Sequence, residues 1–134
     1  MFSIIKDVTD LCPVGEGTWG IVYKAKWHGP VAVKKLKCQD PNSEQVTFKD
    51  HSIGFQTYFL QIKEFQNEVR ILRQLRHKNI VLFMSYILDP PKDMCIVMHW
   101  CSSSLYRRIH ISKDVISVKE AIRISKETAQ VFFY

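Results

Sequence analysis

An α+β fold built on an antiparallel sheet is predicted by the order of the sequence's elements, the shortness of its apolar runs and the positions of its turn residues. Three strand-like segments come first, then a helix, two more strands and a last helix, without the regular strand–helix alternation of a doubly wound parallel sheet. The 134 residues suffice for one domain and not for two, and an apolar content of 46% supplies a real core. No apolar run approaches the ~18 residues needed to cross a bilayer. Residues 1–10 carry Lys6, Asp7 and Asp10 and lack a secretory pattern. A cytoplasmic protein with no membrane insertion is therefore expected.

Residues 8–14 and 21–27 read as strands joined by a glycine-rich turn, and His28-Gly29-Pro30 marks the turn into a third strand over 31–36. Phe65, Val69, Leu72 and Leu75 recur at helical spacing, which predicts an amphipathic helix of roughly fourteen residues ending near His77. Residues 80–88 and 94–100 read as two further strands around Asp89-Pro90-Pro91. Ser117-Val-Lys-Glu120 is a capping-box signature, the serine accepting from the helix backbone and the glutamate reaching back, so a last helix starts there.

Cys12, Cys38, Cys95 and Cys101 show neither CxxC nor framework spacing and read as free thiols in a reducing compartment. Cys95, His99 and Cys101 are soft ligands close in sequence. On a strand rising ~3.3 Å per residue they span more than ~13 Å on one face. Zinc bonds of ~2.0–2.3 Å cannot gather them unless the segment folds, so no metal site is expected. The net charge of +6 raises the question of nucleic acid. The basic residues form no single block and cluster only lightly, at 34–37, 70–78 and 107–108, each broken by apolar positions, which is the pattern of solvated faces; no nucleic-acid partner is expected.

The chemistry begins at Gly15-Glu-Gly17-Thr-Trp-Gly20-Ile-Val22. A GxGxxG alone also fits a Rossmann site, but that fingerprint opens a helix. Here strand residues follow, so the loop folds as a hairpin whose backbone N–H groups can face a phosphate with no side chains between. Val22 then lies against a nucleotide base. On Val31-Ala32-Val33-Lys34 the lysine points toward the same phosphates, and Ala32 leaves room for the base. A helix-borne glutamate completes this combination; Glu68, beside Phe65 and Leu72 on the apolar side, is favoured over Glu64.

Together these residues resemble the amino-terminal lobe of a protein kinase. The stretches 26–34, 76–84 and 96–101 closely resemble Raf-type serine/threonine kinases, as do Ser104-Leu105-Tyr106 and Glu127-Thr128-Ala129-Gln130. The resemblance implies a five-stranded antiparallel sheet with one long helix, αC, over about 9–101, then a hinge and the first helices of a truncated carboxyl-terminal lobe over 102–134. It implies ATP as cofactor, with Lys34 and Glu68 as the catalytic pair. Val14, Gly15, Gly17, Gly20, Val22, Ala32, Lys34, Met98, His99 and Cys101 become the nucleotide-binding set. Met98 is the gatekeeper, residues 99–101 are the hinge, and Leu72 and Phe83 resemble spine residues. Arg76 matches the arginine of the side-to-side Raf dimer surface, which makes a non-catalytic dimerisation module the alternative function. A full-length parent would phosphorylate MEK-type kinases in a MAPK cascade.

Departures from the family pattern are Met98 where threonine is usual, a hinge exit one residue short, Pro13 before the glycine loop, and Ser85 in place of glycine. An excess over the family pattern falls at residues 46–61 and is expected as an exposed or poorly ordered excursion. It opens on Val46 and closes on Phe59-Leu60-Gln61, whose codons can carry intron-boundary sequences, and Val131 opens a second departure. A retained intron and a genuine lineage-specific loop both account for this. No His-Arg-Asp or Asp-Phe-Gly occurs, so the Mg²⁺ ligands and catalytic base of a kinase are missing from these residues and the chain alone is expected to be inactive. Phe132, Phe133 and Tyr134 form an apolar tail that favours association.

Overall fold

In a computed structural model the described residues are 7–17, 20–37, 51–90 and 93–132. Five strands, β1 (Thr9–Gly17), β2 (Gly20–Lys26), β3 (Pro30–Leu36), β4 (Phe83–Asp89) and β5 (Asp93–His99), form one sheet in the order β1-β2-β3-β5-β4. Every pairing is antiparallel. Helix α1 (His51–Gln74) connects β3 to β4, and α2 (Val118–Phe132) follows a π-helical turn at Arg107–Ile111. The expected α+β architecture is the one that forms.

The period-2 alternation of the strands gives the sheet two apolar faces. On one face Ala25, Val31, Val33, Cys95 and Val97 make a buried cluster, with Tyr23, Trp27 and Ile87 against it. On the other, Phe83, Met94 and Ile96 pack against Phe65 and Val69 of α1, flanked by Ile62, Leu72 and Met98. Strand β5, between β3 and the edge strand β4, is buried on both sides, with Ile96 and Val97 fully enclosed. Each large side chain buried in this way stabilises the fold by ~1.5–3 kcal/mol. The helix therefore covers the β4–β5 half of its face, where Ile96 and Met94 present the bulk.

Strand β1 is an edge strand, exposed throughout. Its register shifts between Pro13 and Gly15, and a proline is tolerated at such an edge irregularity because one missing donor breaks no continuous ladder there. A second irregularity between Thr9 and Cys12 contains Asp10 at φ 57°. Aspartate tolerates that left-handed conformation, and its carboxylate pairs with Lys26 at 3.0 Å. The β2–β3 turn has His28 at φ 53° and Gly29 at φ 136°, with Trp27 N–H donating to Gly29 O at 2.8 Å.

Two expectations are corrected. Helix α1 has 24 residues, not fourteen, and ends at Gln74 rather than near His77. Residues 51–61, expected in an exposed excursion, are its amino-terminal half; residues 46–50 lie outside the described residues. The reason is periodicity: Tyr58 and Ile62 continue the Phe65, Val69, Leu72 seam at 3–4-residue spacing, and both are half-buried. Extending a docked helix costs little once it is nucleated. The second correction concerns the capping box. Ser117 Oγ accepts from the Glu120 backbone N–H at 3.2 Å as expected. The Glu120 carboxylate, however, accepts from Arg108 Nη1 at 2.7 Å, because a guanidinium is a stronger partner than a backbone amide. Arg108 also donates to Asp114 in the connecting loop at 3.1 Å, and its bond to Glu120 ties the π-helical turn to α2.

Candidate nucleotide site

The strand registers determine which residues can act together. Gly15 pairs with Val22, Val22 with Lys34, and Lys34 with Ile96. Ala32 pairs with Lys24 on one side and Met98 on the other. One face therefore collects the Gly15, Gly17, Gly20, Val22, Ala32, Lys34 and Met98 positions, and it is the face on which α1 docks. With Phe65 and Val69 buried against the sheet, Glu68 is turned toward β3. Lys34 Nζ donates to Glu68 Oε1 at 3.0 Å across 34 residues of sequence. Both side chains remain partly open to solvent, at 27% and 39% exposure. Glu64, one turn earlier, lines the neighbouring cavity, and the partner of Lys34 is Glu68.

The glycines divide into two kinds. A Cβ at Gly20 would fall 2.2 Å from the Lys35 carbonyl oxygen, so the β2–β3 pairing itself requires glycine there. At Gly15 and Gly17 a Cβ would meet nothing within 4 Å among the described residues. Neither crowding by the described residues nor a left-handed backbone accounts for them, so packing among those residues gives no reason for glycine. Space left bare on the Lys34 face fits the close approach of an anionic ligand to backbone N–H groups. The residues present thus fit a nucleotide phosphate.

Of the residues expected around a nucleotide base, Ala32 is buried, Val22 is half-buried and Val14 is exposed beside the β1 irregularity. Met98 is half-buried against the α1 cluster, which Leu72 and Phe83 also join. The His99 N–H donates to Leu82 O at 2.9 Å, which fixes the chain as it leaves β5. Trp100 lies under Lys24, whose Nζ is 5.3 Å from the ring centroid, a cation–π contact between β2 and the chain after β5. Cys101 is exposed.

Two cavities flank these residues. One of 720 Å³ touches Lys34 and Glu68 together with Leu36, Leu60, Phe65 and Met94. Another of 660 Å³ is lined by His99, Cys101, Leu82 and Asn79, and by Ile124 and Phe132 of α2. The lysine pair and the residues after β5 thus line separate cavities. Asn79 closes the second by donating to Glu127 O at 2.9 Å and Gln130 Oε1 at 3.1 Å. The structure leaves Arg76 away from both, exposed past the end of α1, with Nη1 donating to Leu75 O at 3.1 Å.

Among the described residues, Cys12, Cys95 and Cys101 form no disulfide; Cys38 lies outside them. Burial pushes the Cys95 thiol up to about 11. No group of three or more His, Cys, Asp or Glu among the described residues is placed to hold a metal ion. No described helix is long and apolar enough to cross a membrane.

The model of the protein tyrosine and serine/threonine kinase family matches residues 8–134. The chain belongs to that family. Its Raf-type character is equally plain: the RAF proto-oncogene serine/threonine-protein kinase of Xenopus laevis is 40% identical over 122 residues, which cover 90% of this chain. The kinase lobe described here spans 16% of the length of that relative. The sheet and docked helix are those of a kinase amino-terminal lobe. Sequence reasoning missed the Asn79 ties and the Glu16–Lys37 and Lys35–Asp93 ion pairs, each 2.6 Å long. Opposite charges facing across strands were the available signal, and it becomes readable only once the register is known.

Proposed function

We propose that this lobe supplies the ATP-binding roof of a Raf-type serine/threonine kinase, with Lys34 and Glu68 as its phosphate-positioning pair. The 3.0 Å contact between them carries the reading, because it joins a strand and a helix 34 residues apart on the face that bears the bare glycines. When bound, ATP supplies the transferable phosphoryl group. Gly15 and Gly17 allow backbone N–H groups to approach its phosphates, and Glu68 holds the Lys34 ammonium toward that side. Val22 and Ala32 cover the base, and the Met98 side chain narrows the rear of the slot. His99 and Cys101 offer backbone groups at its edge.

Phosphoryl transfer needs a base for the substrate hydroxyl and carboxylate and amide ligands for Mg²⁺. The 134 residues contain neither His-Arg-Asp nor Asp-Phe-Gly, so these residues alone bind nucleotide without turning it over. Phosphorylation of protein serine or threonine, with MEK-type kinases as substrates in a MAPK cascade, belongs in this reading to the longer protein. The test is transfer of labelled γ-phosphate to general protein substrates by the purified chain. No signal above a Lys34→Met control is expected; turnover that the control abolishes would show that the chain is itself an enzyme.

A further inference from the structure

The glycine hairpin contains one charge of its own, Glu16, between the two glycines whose faces are bare. A carboxylate there opposes any phosphate that approaches the loop. Its register resolves the conflict: Glu16 pairs with Ile21 and Ile21 with Lys35, so its side chain belongs to the face opposite Val22 and Lys34. On that face Lys37, just past the end of β3, reaches back across β2 and meets Glu16 Oε1 at 2.6 Å. We propose that Lys37 is a positioning residue for the glycine hairpin, holding Glu16 on the far face of the sheet and neutralising it beside the phosphate position.

Three observations support this role. Strand β1 is an exposed edge, and side-chain ion pairs tie it at both ends, Asp10–Lys26 and Glu16–Lys37. At the end of β1 packing supplies no hold, since among the described residues nothing lies within 4 Å of a Cβ at Gly15 or Gly17. Lys37 is close enough to hold the Glu16 carboxyl below the usual carboxylate range, by hydrogen bonding first and by charge second. The pair is solvent-exposed, so its effect is modest and sensitive to salt. The consequence for nucleotide rests on the ATP-binding reading; the tether itself does not.

The experiment separates the two. Amide exchange at Gly15, Gly17 and Gly20 is measured without nucleotide, and ATP and adenosine titrations follow on the same proteins. Lys37→Met is expected to speed exchange at these amides about two- to threefold, as for loss of an exposed ion pair. It is also expected to weaken ATP by a similar factor and to leave adenosine unchanged. Lys37→Arg keeps both properties, and adding Glu16→Gln to Lys37→Met recovers ATP binding while exchange stays fast. Unchanged exchange in Lys37→Met overturns the proposal, as does an ATP loss that adenosine shares or that Glu16→Gln does not recover. If exchange responds but no protein in the set binds ATP, the tether stands and the nucleotide reading falls.

Discussion

Phe65 and Phe59 lie six residues apart on α1, and the docking of that helix can be tested by truncating each in turn. Phe65 is 2% exposed, enclosed by Val69 on its own helix and by Phe83, Met94 and Ile96 on the sheet. Phe65→Ala removes ~100–150 Å² of buried apolar surface, or ~3 kcal/mol at ~25 cal/mol per Å². The cavity left behind brings the expected loss to ~3–5 kcal/mol, a large share of the ~5–15 kcal/mol that holds a domain of this kind together. Phe59 is 64% exposed, and Phe59→Ala should cost no more than ~0.5 kcal/mol. Urea unfolding followed by far-UV ellipticity measures both. Glu68 is one turn beyond Phe65, so loosening the helix also loosens its hold on Lys34. A Phe65→Ala loss below ~1 kcal/mol would contradict the docked face, as would a Phe59→Ala loss above ~2 kcal/mol.

The glycines should separate in the same way. Gly20→Ala forces a Cβ against the Lys35 carbonyl oxygen and should lower the unfolding midpoint, whereas Gly15→Ala should leave it within error; equal effects would refute the distinction. Cys95 makes stability depend on pH. Its folded-state thiol is pushed up to about 11 from 9.0, so the buried neutral form stabilises the fold fully below pH 9, and that stability is lost as pH rises toward 11. At ~1.4 kcal/mol per unit the loss is up to ~3 kcal/mol. The gap between wild type and Cys95→Ala in urea should therefore narrow between pH 9 and 11, and a constant gap would show that burial does not raise the thiol.

The sheet was legible from sequence because its strands alternate and its turns carry Gly29, Pro30 and Pro90. The ends were less so. Strand β1 runs to Gly17, past the expected 14, because ladder pairing continues to the hairpin tip. Strand β4 starts at Phe83 and not at residue 80, because Ile80 N–H donates to His77 O and Asn79 is drawn toward α2. The early start of α1 was hidden by Gly54, a poor helix former, and by Phe59 and Leu60, two apolar side chains on the solvent face that blur the period. The Lys34–Glu68 pair was readable from local pattern on each side. Glu16–Lys37 was not, since only the three-strand register brings those residues together.

The most direct test of the account is to map ATP onto the lobe by backbone amide shifts, because it reads weak binding without requiring catalysis. The account predicts that ATP moves the amides of Gly15, Gly17, Gly20, Val22 and Cys101, and that Lys34→Met removes the response while the protein stays folded. Shifts confined to other surfaces, or a response that Lys34→Met leaves unaltered, would contradict it.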